Sequence, residues 1–304
     1  MATMPRMMTR ADQPNAQASR DGRIAVIAGG GALPVAVVRT LLDRGEKPFV
    51  ILIAGEVDDE QSFDGAEQAV LAVEDFGQAL PLLKKHGVKR LVMSGNVVRR
   101  PNLRRVRWNL STLALLPRVA AGLLRGDDGL LRTIIEIAEA NDIAVVGPHE
   151  IVPDLLAPEG TLTRATSTSR DRRDLEAASE AALAIGRLDI GQAAIAIGGR
   201  AVALEGIEGT DGLLERTAQM RGHGRLAGKK RGVLVKHCKP LQERRADLPA
   251  IGPQTVEGAH KAGLAGIAVD AGRSFILDFD KTIARADELG LFVVGMPAKP
   301  EDDQ

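Results

Sequence analysis

The sequence predicts an α/β protein of two domains: an N-terminal Rossmann-like parallel sheet and a C-terminal mixed α/β domain. Three observations predict it. From Arg23 onward, apolar runs of strand length alternate with stretches whose apolar residues fall at helical spacing. The first run ends at Gly29, Gly30 and Gly31, as a buried strand turning into a helix does. Between Pro153 and Arg173 the composition shifts to Pro, Ser, Thr and charge before the alternation resumes.

In the first half, strands are expected at 24–28, 49–53, 70–73, 90–93 and 143–146. Helices are expected at 33–44, stopping at Gly45, and at 76–86, 111–124 and 127–140. Strands alternating with helices give a parallel sheet covered on both faces. The second half opens with a helix over 175–185, then AAIAIGG and RAVALEG, two strands pairing through Gly198 and Gly199. A helix over 211–220, a strand over 232–236 and a helix over 256–262 follow, then strands over 266–269, 274–277 and 291–294. The expected plan is an extension over 1–22, a first domain over 23–152, a linker over 153–174 and a second domain over 175–304. No internal repeat relates the halves.

The chain has 304 residues, 44% of them hydrophobic, enough for two domains of ordinary size. A single cysteine, Cys238, allows no intrachain disulfide and points to a reducing compartment. The first 21 residues contain no apolar stretch of signal-peptide type, and no apolar run approaches a membrane span, so a cytoplasmic protein is expected. Forty basic residues balance forty acidic ones, and aromatics are only 2%, with no tyrosine. Neither a general electrostatic field nor a stacking platform recommends nucleic acid as a partner.

Four stretches are candidates for chemistry. Gly29–Gly31 followed by Ala32, Leu33 and Pro34 suits an anionic phosphate at a helix start, or simply a tight helix start. The dinucleotide fingerprint fails, because Pro34 stands where its third glycine belongs. Ser94-Gly95-Asn96 and Glu74-Asp75-Phe76-Gly77 each follow a strand, where open α/β sheets hold ligands and where turns also use such residues. The basic stretch 99–108 carries Arg99, Arg100, Arg104, Arg105, Arg107 and Trp108. It reads as a solvated loop or as a patch against anionic lipid. The richest group is in the second half: Thr210 and Asp211 at a helix start, Lys236 and Lys239 after a strand, and Arg245 and Asp247 in the following loop. Cations beside an aspartate suit a metal-assisted phosphoryl site, and equally a surface ion-pair cluster. Cys238 next to His237 makes no dyad, since adjacent side chains of a strand point to opposite faces. The P-loop, the HExxH zinc motif, Cys/His zinc clusters and the GxSxG elbow are all absent.

Taken together, IAGGGALP, SGNV, GDDGLLR, GRLDIGQ, EGTDGLLER, GVLVKHCKPLQERRADLPAIGPQT and AGLAGI occur in order over 23–296. In this the chain resembles the UDP-2,3-diacylglucosamine pyrophosphatases of the LpxI type. The resemblance implies a lipid A biosynthesis enzyme that clasps substrate between its two domains. It implies Mg²⁺-dependent hydrolysis to UMP and 2,3-diacylglucosamine 1-phosphate, water attacking the α-phosphorus, with Mn²⁺ as the alternative ion. It places the functional aspartate of the RxDLP motif at Asp247. Substrate contacts fall at Ala32, Leu33, Phe76, Gly77, Gly191, Gln192 and Thr210, with Asp211 on the same surface. The metallophosphoesterase motifs of the pathway's other pyrophosphatases are missing, because Gly95-Asn96 is followed by Val97 rather than histidine.

Residue chemistry and resemblance meet in one expectation. Asp247 serves as metal ligand or water-orienting base, with Asp211 as second ligand. Lys236, Lys239 and Arg245 neutralise phosphate, and Asn96 contributes at the first crevice. Asp127 and Asp128 begin a helix and read as its cap, with a role at the diphosphate as the alternative. Contact with the inner face of the inner membrane through 99–108, and a homodimer, complete the expected partners. The alternatives are a non-catalytic nucleotide-sugar binder, which would release no UMP, and a dinucleotide-dependent oxidoreductase, disfavoured by Pro34.

Overall fold

Arg23–Ala28 is a strand because five of its six residues are apolar and the parallel neighbours on either side demand burial on both faces. The computed structural model describes residues 22–99, 110–123, 126–226, 228–229, 231–239 and 242–297. The expected extension, Gly22 apart, and the basic stretch beyond Arg99 lie outside them.

The first domain runs β1 (Arg23–Ala28), α1 (Ala32–Asp43), β2 (Phe49–Ile53), β3 (Glu67–Leu71), α2 (Ala79–Lys85), β4 (Val88–Ser94), α3 (Leu110–Leu123), α4 (Gly126–Glu139) and β5 (Ala144–Val145). All five strands are parallel, in the order β3-β2-β1-β4-β5. The chain therefore builds outward from β1 to β3, then crosses back to β4, leaving a switch point between β1 and β4. Alternation along the strands splits the core between the two faces. Val26, Ala28, Val50 and Leu52 pack with Val37, Val38 and Leu41 of α1. Ala25, Phe49, Ile51, Leu91 and Met93 pack with Leu83 of α2 and with Ile135 and Ala138 of α4.

After α5 (Pro148–Ile151) come β6 (Gly160–Thr161), α6 (Ser169–Arg187), β7 (Ala193–Ala196), β8 (Ala201–Leu204), α7 (Gly209–Gln219) and β9 (Val233–Lys236). The chain continues through β10 (Ala250–Ile251), α8 (Pro253–Lys261), β11 (Gly266–Asp270), β12 (Phe275–Ile276), α9 (Phe279–Glu288) and β13 (Phe292–Met296). Six strands form a mixed sheet, β6-β13-β11-β9-β7-β8, in which β9, β11 and β13 are parallel, while β6 and β7 run against their neighbours. Helices α7, α8 and α9 cover one face through Leu213, Leu214, Val256, Ala259 and Ala286. Helix α6 covers the other through Ala178, against Ala196, Val233, Val235 and Phe292. β10 and β12 form a separate parallel pair.

The structure departs from the sequence reading in several places. The interval 153–174 carries a 3₁₀ turn, the edge strand β6 paired to β13, and the start of α6, where Asp171 Oδ2 accepts from both the Thr168 N–H and hydroxyl. Its polar composition reflects a helix cap and a sheet edge. Helix α9 is not predicted from the sequence, because its inward face is built from Thr282, Ile283 and Ala286, a weak apolar stripe. Strand β3 starts at Glu67 rather than near 70, since an edge strand tolerates polar residues, and residues 73–78 form a 3₁₀ turn instead of strand end and helix start. Among the described residues no helix is long and apolar enough to cross a membrane.

Candidate active site

At the switch point, the exits of β1 and β4 are tied by backbone. Gly29 N–H donates to Ser94 O at 2.8 Å, Gly30 N–H to Asn96 O at 2.8 Å, and Asn96 N–H to Gly30 O at 3.0 Å. A Cβ on Gly29 would stand 2.3 Å from Asn96 O, and one on Gly95 2.6 Å from Gly30 O, so only glycine permits this approach. Gly31, at φ 90°, turns the chain into α1 and offers no capping side chain. Ala32 and the side chain of Asn96 face solvent, Leu33 is half-buried and Pro34 buried. Phe76, half-buried, and Gly77, buried, lie in the 3₁₀ turn beyond β3, two strands from β1.

In the second domain, parallel β9, β11 and β8 end at the edge where antiparallel β7 begins, which collects Lys236, Asp270, Glu205 and Gln192. Lys236 is buried, and its Nζ donates to Thr210 Oγ1 at 2.9 Å and to Ala250 O at 3.0 Å. Thr210 donates to Glu205 Oε1 at 2.6 Å, and Glu205 Oε2 accepts from Gln192 N–H at 2.7 Å. Burial pulls the Lys236 ammonium below its ordinary pKa, against the opposing pull of Glu205, Asp247 and Asp211. Gly191 is glycine because a Cβ there would meet Glu205 O at 2.5 Å. The Gln192 side-chain oxygen is buried and without a partner among the described residues.

The loop after β9 carries the remaining groups onto the first domain. Cys238 and Leu248 join the core beside Ala28, Leu52 and Val92, and Ala246 packs with the cluster of Ile27, Leu91 and Met93. Glu243 N–H donates to Asp128 Oδ1 at 3.0 Å, and Arg245 bridges Glu139 of α4 at 2.6 Å and Glu243 at 2.9 Å. Asp247 is exposed to solvent, yet the protein packed around the base of its carboxyl strips part of its water away. That loss of surrounding water pushes its carboxyl above the usual range, although the Gln242 amide, Lys239 and Lys236 hold it down; Asp128 adds repulsion. Lys239 loses water too, but a 2.6 Å bond to Asp189, with the charges of Asp189, Asp247 and Asp128, raises it net. The Cys238 thiol is buried and pushed up to about 12, which leaves it unreactive.

Lys236, Thr210 and Gln192 thus meet in one network, Asp247 and Asp211 bear on it electrostatically, and Lys239 acts on Asp247. Arg245 is committed to an ion pair across the domain boundary. Thr210 and Asp211 lie inside the first turn of α7 rather than at its N-cap, which is Glu208. Sequence reasoning misses Glu205, Asp189 and Gln242, and takes Asp128 for a helix cap. The only signals are the place of Glu205 after an apolar strand and before Gly206, and the GDDG run around Asp128. Among the described residues no three His, Cys, Asp or Glu side chains converge as a metal cage.

Two family models match the chain, the LpxI N-terminal domain over residues 23–155 and the LpxI C-terminal domain over residues 158–294. The UDP-2,3-diacylglucosamine pyrophosphatase LpxI of Caulobacter vibrioides is 36% identical over 278 residues, 90% of this chain and 97% of that protein. Among solved structures, the Bordetella bronchiseptica enzyme WbmG in complex with NAD aligns over 41% of this chain and 35% of its own, with 16% identity and a TM-score of 0.25. The UDP-glucose 4-epimerase of Thermus thermophilus in complex with NAD aligns over 92% and 88%, with 11% identity and a TM-score of 0.30. Likenesses that distant carry no argument. With both domain models matched and a relative of this identity over nearly its full length, the chain belongs to the LpxI family.

Proposed function

We propose that this hydrolase of the LpxI type cleaves UDP-2,3-diacylglucosamine to UMP and 2,3-diacylglucosamine 1-phosphate, a step of lipid A biosynthesis, by water attack on the α-phosphorus. The water oxygen bonds to the α-phosphorus as the bridging P–O bond breaks, and the sugar phosphate leaves with that oxygen. The observation that carries the reading is the setting of Asp247: an exposed but partly desolvated carboxylate that feels the charges of Lys236 and Lys239 of its own domain and of Asp128 of the other.

Asp247 orients the attacking water and takes its proton, a role its raised pKa favours by bringing the carboxylate nearer neutrality. Lys239, kept charged by Asp189, neutralises non-bridging oxygens; Lys236, fixed by Thr210 and Ala250, sets the floor of the same positive surface. Gln192, Thr210, Ala32, Leu33, Asn96, Phe76 and Gly77 are the further substrate contacts in this reading. As the alternative to its role as base, Asp247 would hold Mg²⁺ together with Asp211; among the described residues no protein cage of three such donors forms, so the ion would be shared with water and substrate oxygens. When bound, Mg²⁺ supplies charge neutralisation at the pyrophosphate, and Mn²⁺ would serve in the same place.

The test is turnover of UDP-2,3-diacylglucosamine by purified protein with Mg²⁺ in ¹⁸O-labelled water. Label in UMP is the expected result. Label in the sugar phosphate would overturn the attack position, and no UMP with either ion would replace the enzyme reading with that of a nucleotide-sugar binder.

A further inference from the structure

The second domain buries a chain of three side chains that the proposed reaction does not use. Ser179 of α6, His237 just after β9 and Asp270 at the end of β11 are each less than a tenth exposed. Ser179 Oγ lies 2.6 Å from His237 Nε2, and His237 Nδ1 lies 2.7 Å from Asp270 Oδ1. The order is that of a nucleophilic triad, but Ser179 stands in the middle of a helix packed on the sheet, where no reacting group reaches it. Access, rather than geometry, excludes that role.

The same groups grip the backbone that leaves β9. Asp270 Oδ2 accepts from Cys238 N–H at 2.7 Å, and His237 N–H donates to Gln192 O at 2.9 Å. Successive residues of an extended segment face opposite sides. Locking His237 toward α6 therefore sets Lys236 toward α7, where its Nζ meets Thr210 and the Ala250 carbonyl. A strand free to twist at this point would carry the lysine with it.

We propose that Ser179, His237 and Asp270 are positioning residues that act on hydrolysis through Lys236. The proposal rests on the reading of Lys236 as part of the phosphate-binding surface. It is tested by a double-mutant cycle on the full chain, with UDP-2,3-diacylglucosamine and Mg²⁺. His237→Asn is expected to lower kcat about 10- to 100-fold, the scale of a small misplacement, with KM within about threefold. In a Lys236→Met background, adding His237→Asn is expected to change kcat less than about twofold, because the residue it positions is gone. Ser179→Ala, the milder lesion, repeats the cycle should His237→Asn fail to fold. Equal losses in both backgrounds, or wild-type kcat in the single variants, overturn the proposal alone. No turnover by wild-type protein would sink the reaction reading, and this proposal with it.

Discussion

Lys236 and Glu205 are joined through a single hydroxyl: Lys236 Nζ donates to Thr210 Oγ1 at 2.9 Å, and Thr210 donates onward to Glu205 Oε1 at 2.6 Å. One threonine thereby satisfies a buried cation and a buried anion that come from different strands. Thr210→Val keeps the shape and removes both bonds, so it should cost about 1–3 kcal/mol of stability by denaturant unfolding. Thr210→Ser, which keeps the hydroxyl, should stay near wild type. Equal stability of the two variants would show that the bridge contributes nothing.

Asp247→Ala is expected to fold normally and to turn over at least about 100-fold more slowly, the usual loss for an electrostatic group at a reacting centre. Steady-state kinetics together with a thermal melt check both halves. Near-wild-type kcat would remove Asp247 from the chemistry.

The raised pKa of Asp247 also has a thermodynamic signature. A carboxyl whose folded pKa exceeds its unfolded value, about 3.9, contributes stability below that pH and loses it as pH rises through the folded value. Asp247→Asn does not titrate. Its Tm should therefore match wild type below about pH 3.9, pull ahead as pH rises from there through the folded value, and hold a constant lead above it. A gap that instead widens toward acid would mean that the carboxyl is depressed.

The glycines at the switch point should separate into two kinds. Gly29→Ala drives a Cβ into the Asn96 carbonyl and must part the exits of β1 and β4, at about 3 kcal/mol. Gly31→Ala meets open space and bears instead the strain of φ 90° with ψ 178°, a conformation nearly reserved for glycine, at about 1–3 kcal/mol. Chemical denaturation of both variants measures the difference.

Arg245 and Glu139 pair across the two domains with side chains 35% and 45% exposed. A pair so exposed is worth under about 1 kcal/mol. Glu139→Gln should leave Tm and kcat nearly unchanged, and Arg245→Ala should leave KM nearly unchanged; a raised KM would show that the guanidinium also meets phosphate.

Much of this molecule is legible along the chain. β2 falls at 49–53, as its run of five apolar residues predicts, because a strand buried on both faces leaves a continuous apolar signature. Gly29–Gly31 and Ser94–Asn96 read as strand exits, and both lie there. The separation of His237 from Cys238 also follows from alternation alone: the imidazole turns to Ser179 and Asp270, while the thiol lies near Gln242. Helix α9 is hidden by its Thr and Ala face, and β6 and β10, at two residues each, are too short to show a period.

Local period and turn chemistry, which depend on residues a few positions apart, determined the α/β alternation, the glycine exits and the candidate loop holding Asp247. Tertiary structure decided which of those residues meet. Glu205, Asp189 and Asp128 are ordinary acids in the sequence. They matter because β7 runs against β8 and β9, and because the loop after β9 crosses onto α4. Strand order and direction are set by burying whole faces against one another, a long-range balance that no short stretch of sequence encodes.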